Sequence, residues 1–244
     1  MTAAGNAPVP LIGLAHGSRN PQAAAAVGEL TAAVGRLRPG LRTCAAFLDL
    51  SEPDLGAAVG GLDVERAVVV PLLFAQAFHA RKDVPDAVRE AGRQSQTELI
   101  TADILGLGLD VLAVVRDRAR TAGIADDQDI LLLAVGTSDP VANEAVGELA
   151  RRWSTIRGGA VRAVFATAAP RALEALAEPW TSPPAVVPLF LAPGLLLDQV
   201  ARLAAGLGVV VAQPLAAAMA HVVLDRYDAA LQVPNVSSGS LVVQ

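Results

Sequence analysis

The chain has 244 residues, 53% of them apolar but only 3% aromatic, with a formal net charge of −5. This length suits either two domains of about 120 residues or one large α/β domain, and the acidic balance argues against nucleic acid, which needs a basic face. The single cysteine, Cys44, excludes an intrachain disulfide and any cysteine-rich zinc or iron–sulfur site, and it fits a reducing, cytoplasmic compartment.

The segment before His16 has neither a basic n-region nor a long apolar run, so no signal peptide is expected there. Strands are expected at about 9–15, 41–48, 66–74 and 97–103, then at 129–135, 160–167, 184–191 and 208–212. An amphipathic stretch of helical period follows each. Pro21, Pro53, Pro85, Pro140 and Pro170 are read as first-turn prolines of these helices. The run from Leu203 to Leu224 holds no charged residue and is long enough to span a bilayer. Gly206, Gly208, Gln213, Pro214 and His221 interrupt it, however, and strand, turn and helix (215–227) is the better reading. Cys44 is expected to be a buried small hydrophobe, His221 a core or helix-surface residue, and Trp153 and Trp180 packing groups between two halves.

Strand–helix alternation implies parallel sheets with right-handed crossovers. Eight units would also suit a TIM barrel, but internal repetition favours another arrangement. "LAHGSRNPQAAAAVGEL" (14–30) matches "LAVGTSDPVANEAVGEL" (133–149) at an offset of 119 residues. "VVVPLLFA" (68–75) matches "AVVPLFLA" (185–192) at 117, and "AAF…P" (45–53) answers "AVF…P" (163–170) between them. The expected fold is therefore two flavodoxin-like halves, residues 1–124 and 125–244, each a four-stranded parallel sheet flanked by helices.

The halves differ where chemistry is expected. His16 stands where the second copy has Val135, Asp49 where it has about Thr167, and "AQAFHARKD" (75–83) where it has the histidine-free "APGLLLD" (192–198). His16, Asp49 and His79 all fall just past the carboxyl ends of strands, the edge at which open parallel sheets bind ligands. Two imidazoles and a carboxylate can hold a first-row divalent metal with open positions, and they can also accept protons.

"LAHGSR", "FLDLSEP" and "VVVPLLFAQAFHARKDVP" resemble the sirohydrochlorin chelatase family, in its fused form with the histidine pair kept only in the first half. The resemblance implies insertion of a divalent metal, Fe2+ or Co2+, into sirohydrochlorin, with the metal as substrate and no organic cofactor. His16 and His79 would be the metal-handling, proton-accepting pair. Asp49 falls where the family usually carries glutamate, and Glu52 is a second candidate for the carboxylate. Ser18, Arg19, Arg81 and Lys82 would grip the carboxylates of the tetrapyrrole. The chain is then expected to be a monomer with pseudo-dimeric halves, the second a scaffold, with no membrane partner. Two other readings stay open: a metal or tetrapyrrole carrier using the same pocket, and a histidine phosphatase, although Ala15 occupies the position of that motif's arginine.

Overall fold

A computed structural model of the chain describes residues 7–75 and 80–232, with the backbone alone for Ala80 and Arg81. The first half contains β1 (Leu11–Ala15), α1 (Pro21–Leu37), β2 (Thr43–Phe47), α2 (Leu55–Gly60), β3 (Arg66–Pro71), α3 (Ala80–Ser95), β4 (Glu98–Thr101) and α4 (Leu109–Thr121). In the second half come β5 (Ile130–Ala134), α5 (Pro140–Ser154), β6 (Val161–Phe165), α6 (Ala172–Leu176), β7 (Ala185–Pro188), α7 (Leu195–Gly206), a 3-10 turn (Ala216–Met219) and α8 (Ala220–Gln232). Both sheets are wholly parallel, in the orders β2-β1-β3-β4 and β6-β5-β7. The central strands β1 and β5 are buried at all five positions, as a parallel sheet covered on both faces demands.

The two-half architecture is the expected one, and in the second half the strand expected at 208–212 is reduced to a single parallel bridge between Val186 and Val211. Pro184 and Pro188 flank Val186 on the side that faces Val211 and offer no N–H, so Val186 alone donates across and the ladder stays at one bridge. The charge-free run 203–224 ends α7, turns at Gly208, bridges at Val211, and enters α8 through the 3-10 turn. Among the described residues no helix is long and apolar enough to cross a membrane.

Pro21 and Pro140 occupy the first helical position as expected, behind Asn20 and Asp139, whose side chains accept from the Gln22 and Val141 N–H groups. Pro53 and Pro170 instead lie just before the N-cap residues Asp54 and Arg171. Pro85 lies inside α3, where its missing N–H removes a bond to the Arg81 carbonyl.

The core has three aliphatic layers. One outer face joins β1 and β3 to α2 and α3 through Ile12, Leu14, Val69, Val59 and Val88. The other joins β5 and β7 to α6 and α7 through Leu131, Leu133, Val186, Leu176 and Val200. Between the sheets, α1, α4, α5 and α8 share one apolar cluster with the inner faces of both. Here the last helix of each half crosses over: α8 packs on β3 and β4 of the first sheet, while α4 packs on β7 of the second. Polar contacts lock the exchange. Tyr227 Oη donates to the Val9 carbonyl (2.6 Å), Arg226 donates to the Ile104 and Leu105 carbonyls and to Asp110, and Arg38 pairs with Asp228.

Trp153 is buried in this shared cluster, as expected. Trp180 is not between the halves: it packs in the outer layer, its indole N–H on the Ala175 carbonyl and its ring under Arg162. Cys44 is half-buried, and burial raises its thiol pKa, which keeps it protonated and inert. His221 is on the exposed surface of α8.

Candidate active site

The repeat inferred from the sequence is reproduced bond for bond at the carboxyl ends of the strands. Asp49 N–H donates to the His16 carbonyl (3.0 Å), and Thr167 N–H donates to the Val135 carbonyl (2.9 Å). Leu72 N–H donates to Leu14 O (2.8 Å) as Leu189 N–H does to Leu133 O (2.7 Å). His16 and Val135 are thus the same position in two copies of one loop, and both are exposed.

The local sequence dictates the loop. Gly17 has φ +98, and a β-carbon there would sit 1.6 Å from the Asp49 carbonyl oxygen, so only glycine fits between the two loops. Gly136, with φ +85, repeats the device against Phe165 and Ala168. Ser51 closes the first-half contact: its hydroxyl accepts from Ser18 N–H (3.0 Å) and donates to the Ser18 carbonyl (2.8 Å).

Both sheets turn these ends toward one cavity of about 620 Å³, a volume typical of small-molecule sites. Its walls are equivalent pairs from the two halves: Ala15 and Ala134, Gly17 and Gly136, Ala23 and Ala142, Val27 and Val146, Phe47 and Phe165, Leu72 and Leu189. The cavity therefore straddles the pseudo-twofold relation between the copies. It is not symmetric in chemistry, because His16 stands where the second half has Val135 and only the first half contributes an imidazole among the described residues.

The proposed site residues divide between wall and surface. His16 and Ser18 line the cavity, and the Ser18 hydroxyl also accepts from Asn20 N–H. Asp49 is exposed and does not line it; its carboxylate accepts from Leu50 N–H (2.8 Å). Glu52 is exposed too and accepts from Asp54 N–H. Arg19 and Lys82 are exposed and outside the walls. His79 lies outside the described residues, as does the side chain of Arg81. Ala15, where a histidine phosphatase would place arginine, is a buried strand end.

Sequence reasoning missed Asp83. It stands in the first turn of α3 and lines the same cavity as His16. A signal was available: it is the carboxylate four residues after His79. Asp83 and His16 give the first-half wall a carboxylate and an imidazole, groups able to accept protons or to bind a divalent metal. Among the described residues alone no three-membered metal cluster forms.

Such a fold and cleft define a class: a duplicated α/β protein with a cavity between the carboxyl ends of two parallel sheets, its described imidazole in one copy. The chain belongs to the CbiX family, whose family model matches residues 10–122 and 129–230, one match for each half. Among curated relatives, a sirohydrochlorin cobaltochelatase of Sulfolobus acidocaldarius is 31% identical over 80 residues, 31% of this chain and 63% of that one. A sirohydrochlorin ferrochelatase of Priestia megaterium is 25% identical over 111 residues, 43% of this chain and 42% of its own. The matches thus span less than two thirds of these relatives' lengths. Among solved structures, the sirohydrochlorin chelatase SirB of Bacillus subtilis subspecies spizizenii in complex with cobalt shares the fold, with a TM-score of 0.75 and 21% identity, covering 92% of this chain and 96% of that one.

Proposed function

We propose that the chain is a chelatase that inserts a divalent metal, Fe2+ or Co2+, into sirohydrochlorin. It acts in the cytoplasm as a monomer, residues 1–124 carrying the reactive groups and residues 125–244 supplying the opposite wall. The observation that carries this reading is a cavity lined by equivalent residues of two halves, with its described imidazole on one side only. Family membership and the names of the curated relatives support the reaction class.

The chemistry fits the walls. Phe47, Phe165, Leu72 and Leu189 offer apolar surface to the faces of a flat macrocycle. Insertion strips water from M2+ and removes two pyrrole N–H protons, so that metal and free ring become the metallated ring and two protons. Neutral imidazole at His16 and His79 replaces water on the incoming metal. A carboxylate accepts protons released from the ring. Asp83 is the carboxylate in the wall, and Asp49 is the one tied to His16 by a backbone bond. Ser18 in the wall, with Arg19, Arg81 and Lys82 from the segments that carry the histidines, receives the substrate's carboxylates. The metal is a substrate, and the reaction needs no organic cofactor.

An anaerobic insertion assay on sirohydrochlorin, with Fe2+, Co2+ and Ni2+ side by side, tests the reading. Multiple turnovers with iron or cobalt are expected. Stoichiometric binding of ring or metal with no acceleration over the protein-free rate would make the chain a carrier instead.

A further inference from the structure

The two copies of the loop after the first strand are held by the same pair of hydrogen bonds, made by different residues from different places. In the first half the Ser51 hydroxyl, from the loop after β2, clamps both the N–H and the carbonyl of Ser18. In the second half the clamp is the Asn143 amide, from the first turn of α5: Oδ1 accepts from Thr137 N–H (3.0 Å) and Nδ2 donates to the Thr137 carbonyl (2.7 Å). Asn143 corresponds to Ala24 in the first half. Ser51 does not line the cavity, whereas Asn143 and Thr137 both do. The same mechanical task is thus performed in the second half by a group that puts polar atoms into the cleft wall.

Counting donors shows what these atoms have left. The Thr137 hydroxyl oxygen accepts from Asp139 N–H (3.2 Å), which leaves its own proton free to donate. Asn143 Nδ2 spends one of its two protons on the Thr137 carbonyl and keeps the other. Both side chains are half-buried, and the clamp fixes their backbone and amide orientation. Val135, Leu191, Leu195 and Leu196 give the second-half lining of the same cavity its apolar part. The nearby Asp139 carboxylate is engaged by Val141 N–H and does not line the cavity. Two neutral donors in this wall, with the nearby Asp139 carboxylate already engaged, suit an acceptor such as a carboxylate oxygen.

We infer that Thr137 and Asn143 form a substrate-positioning site in the second half, which receives a side-chain carboxylate of the tetrapyrrole across the cavity from His16. This rests on the chelatase reading above and deepens it. The second half is then more than a scaffold: it supplies an anchor that holds the ring in the cavity alike in ground and transition state. The site acts on binding, so its loss falls on KM for the tetrapyrrole and not on kcat.

The test measures binding of metal-free sirohydrochlorin to the full chain by fluorescence titration, with the steady-state insertion assay beside it. Thr137→Val keeps the branched shape and the backbone atoms clamped by Asn143 while removing the donor; Thr137→Ser restores the donor. Thr137→Val is expected to weaken binding about tenfold, the usual scale for one hydrogen bond to a charged group, with Thr137→Ser close to wild type and the change in KM. The methyl-ester form of the ring, whose carbonyl accepts a hydrogen bond but carries no charge, should show a smaller gap between wild type and Thr137→Val. Wild-type affinity in Thr137→Val, or an equal loss with the ester, would overturn the assignment. If wild type neither binds the ring nor inserts metal, it is the chelatase reading that falls.

Discussion

Gly17 approaches the carbonyl oxygen of Asp49 so closely that a β-carbon on it would lie 1.6 Å away. That contact, with φ +98 at Gly17, fixes the height at which His16 leaves β1. Gly17→Ala must therefore both adopt a disfavoured backbone conformation and push the Asp49 loop aside. A loss of about 2 kcal/mol or more is expected, read as a lower urea midpoint, together with loss of insertion. Gly136→Ala meets Phe165 at 2.8 Å and should also destabilise, but it disturbs the wall without the imidazole. Equal insertion rates in the two folded variants would remove the special role of the first-half loop.

His16→Val copies into the first half the residue that the second half already carries in the same backbone setting. Both positions are exposed, so the thermal midpoint should hardly move. Insertion should fall about a hundredfold, the scale for removing a positioned base or ligand. A variant that unfolds would mean that the imidazole supports the loop; one that turns over normally would remove His16 from the chemistry.

Asp83 and Asp49 make opposed claims on the carboxylate role. Both are exposed, but Asp83 lines the cavity, whereas Asp49 lies outside it and binds the Leu50 N–H. Asp83→Asn should cost roughly tenfold or more in kcat, and Asp49→Asn clearly less. The reverse ranking in steady-state assays would return the role to Asp49, and Asp49→Glu should then keep activity.

The sequence carried the fold in a readable form because buried parallel strands are unmixed apolar runs, and duplication doubled each signal. The offset that pairs His16 with Val135 reappears as equivalent backbone bonds to Asp49 and Thr167. The strand at 208–212 was overread. Its apolar run resembles the others, but Pro184 and Pro188, on either side of Val186, leave the ladder one donor. The exchange of α4 and α8 left no trace, since an amphipathic helix records that it has an apolar face and not which sheet covers it. Trp180 lies in the loop after α6, and a lone aromatic there does not say which layer it packs into. Asp83 was passed over because a first-turn acidic residue is ordinary helix chemistry, and only the shape of the cavity gives it a second meaning.

The Arg38–Asp228 pair ties α1 to α8 and sets a pH dependence. The hydrogen-bonded Arg38 guanidinium holds the Asp228 carboxyl below its ordinary range. A carboxyl lowered in the folded state contributes stability above its unfolded pKa and loses it as pH falls through the folded value. The stability gap between wild type and Asp228→Asn should therefore be constant above about pH 5 and close below about pH 4. Urea midpoints across that range test it, and a gap that widens in acid would contradict the pairing.

Truncation tests the helix exchange. Residues 125–244 contain α8, which covers β3 and β4 of the first sheet, and β7, on which α4 packs. Deleting them uncovers Val68, Val70, Leu105, Val111 and Val115, all fully buried in the whole chain. Exposed apolar surface of that kind drives association, so residues 1–124 alone should aggregate or dimerise. A gentler variant separates this from simple loss of mass. Tyr227→Phe removes only the hydroxyl that binds the Val9 carbonyl, and it should cost about 1 kcal/mol while leaving the chain monomeric. Hydrogen exchange should then rise first in the segment entering β1 and in the middle of α8, the two ends of that bond, before it rises in the outer layers. A first half that stays soluble, monomeric and fully active on its own would show that the exchanged helices are not needed to close either sheet.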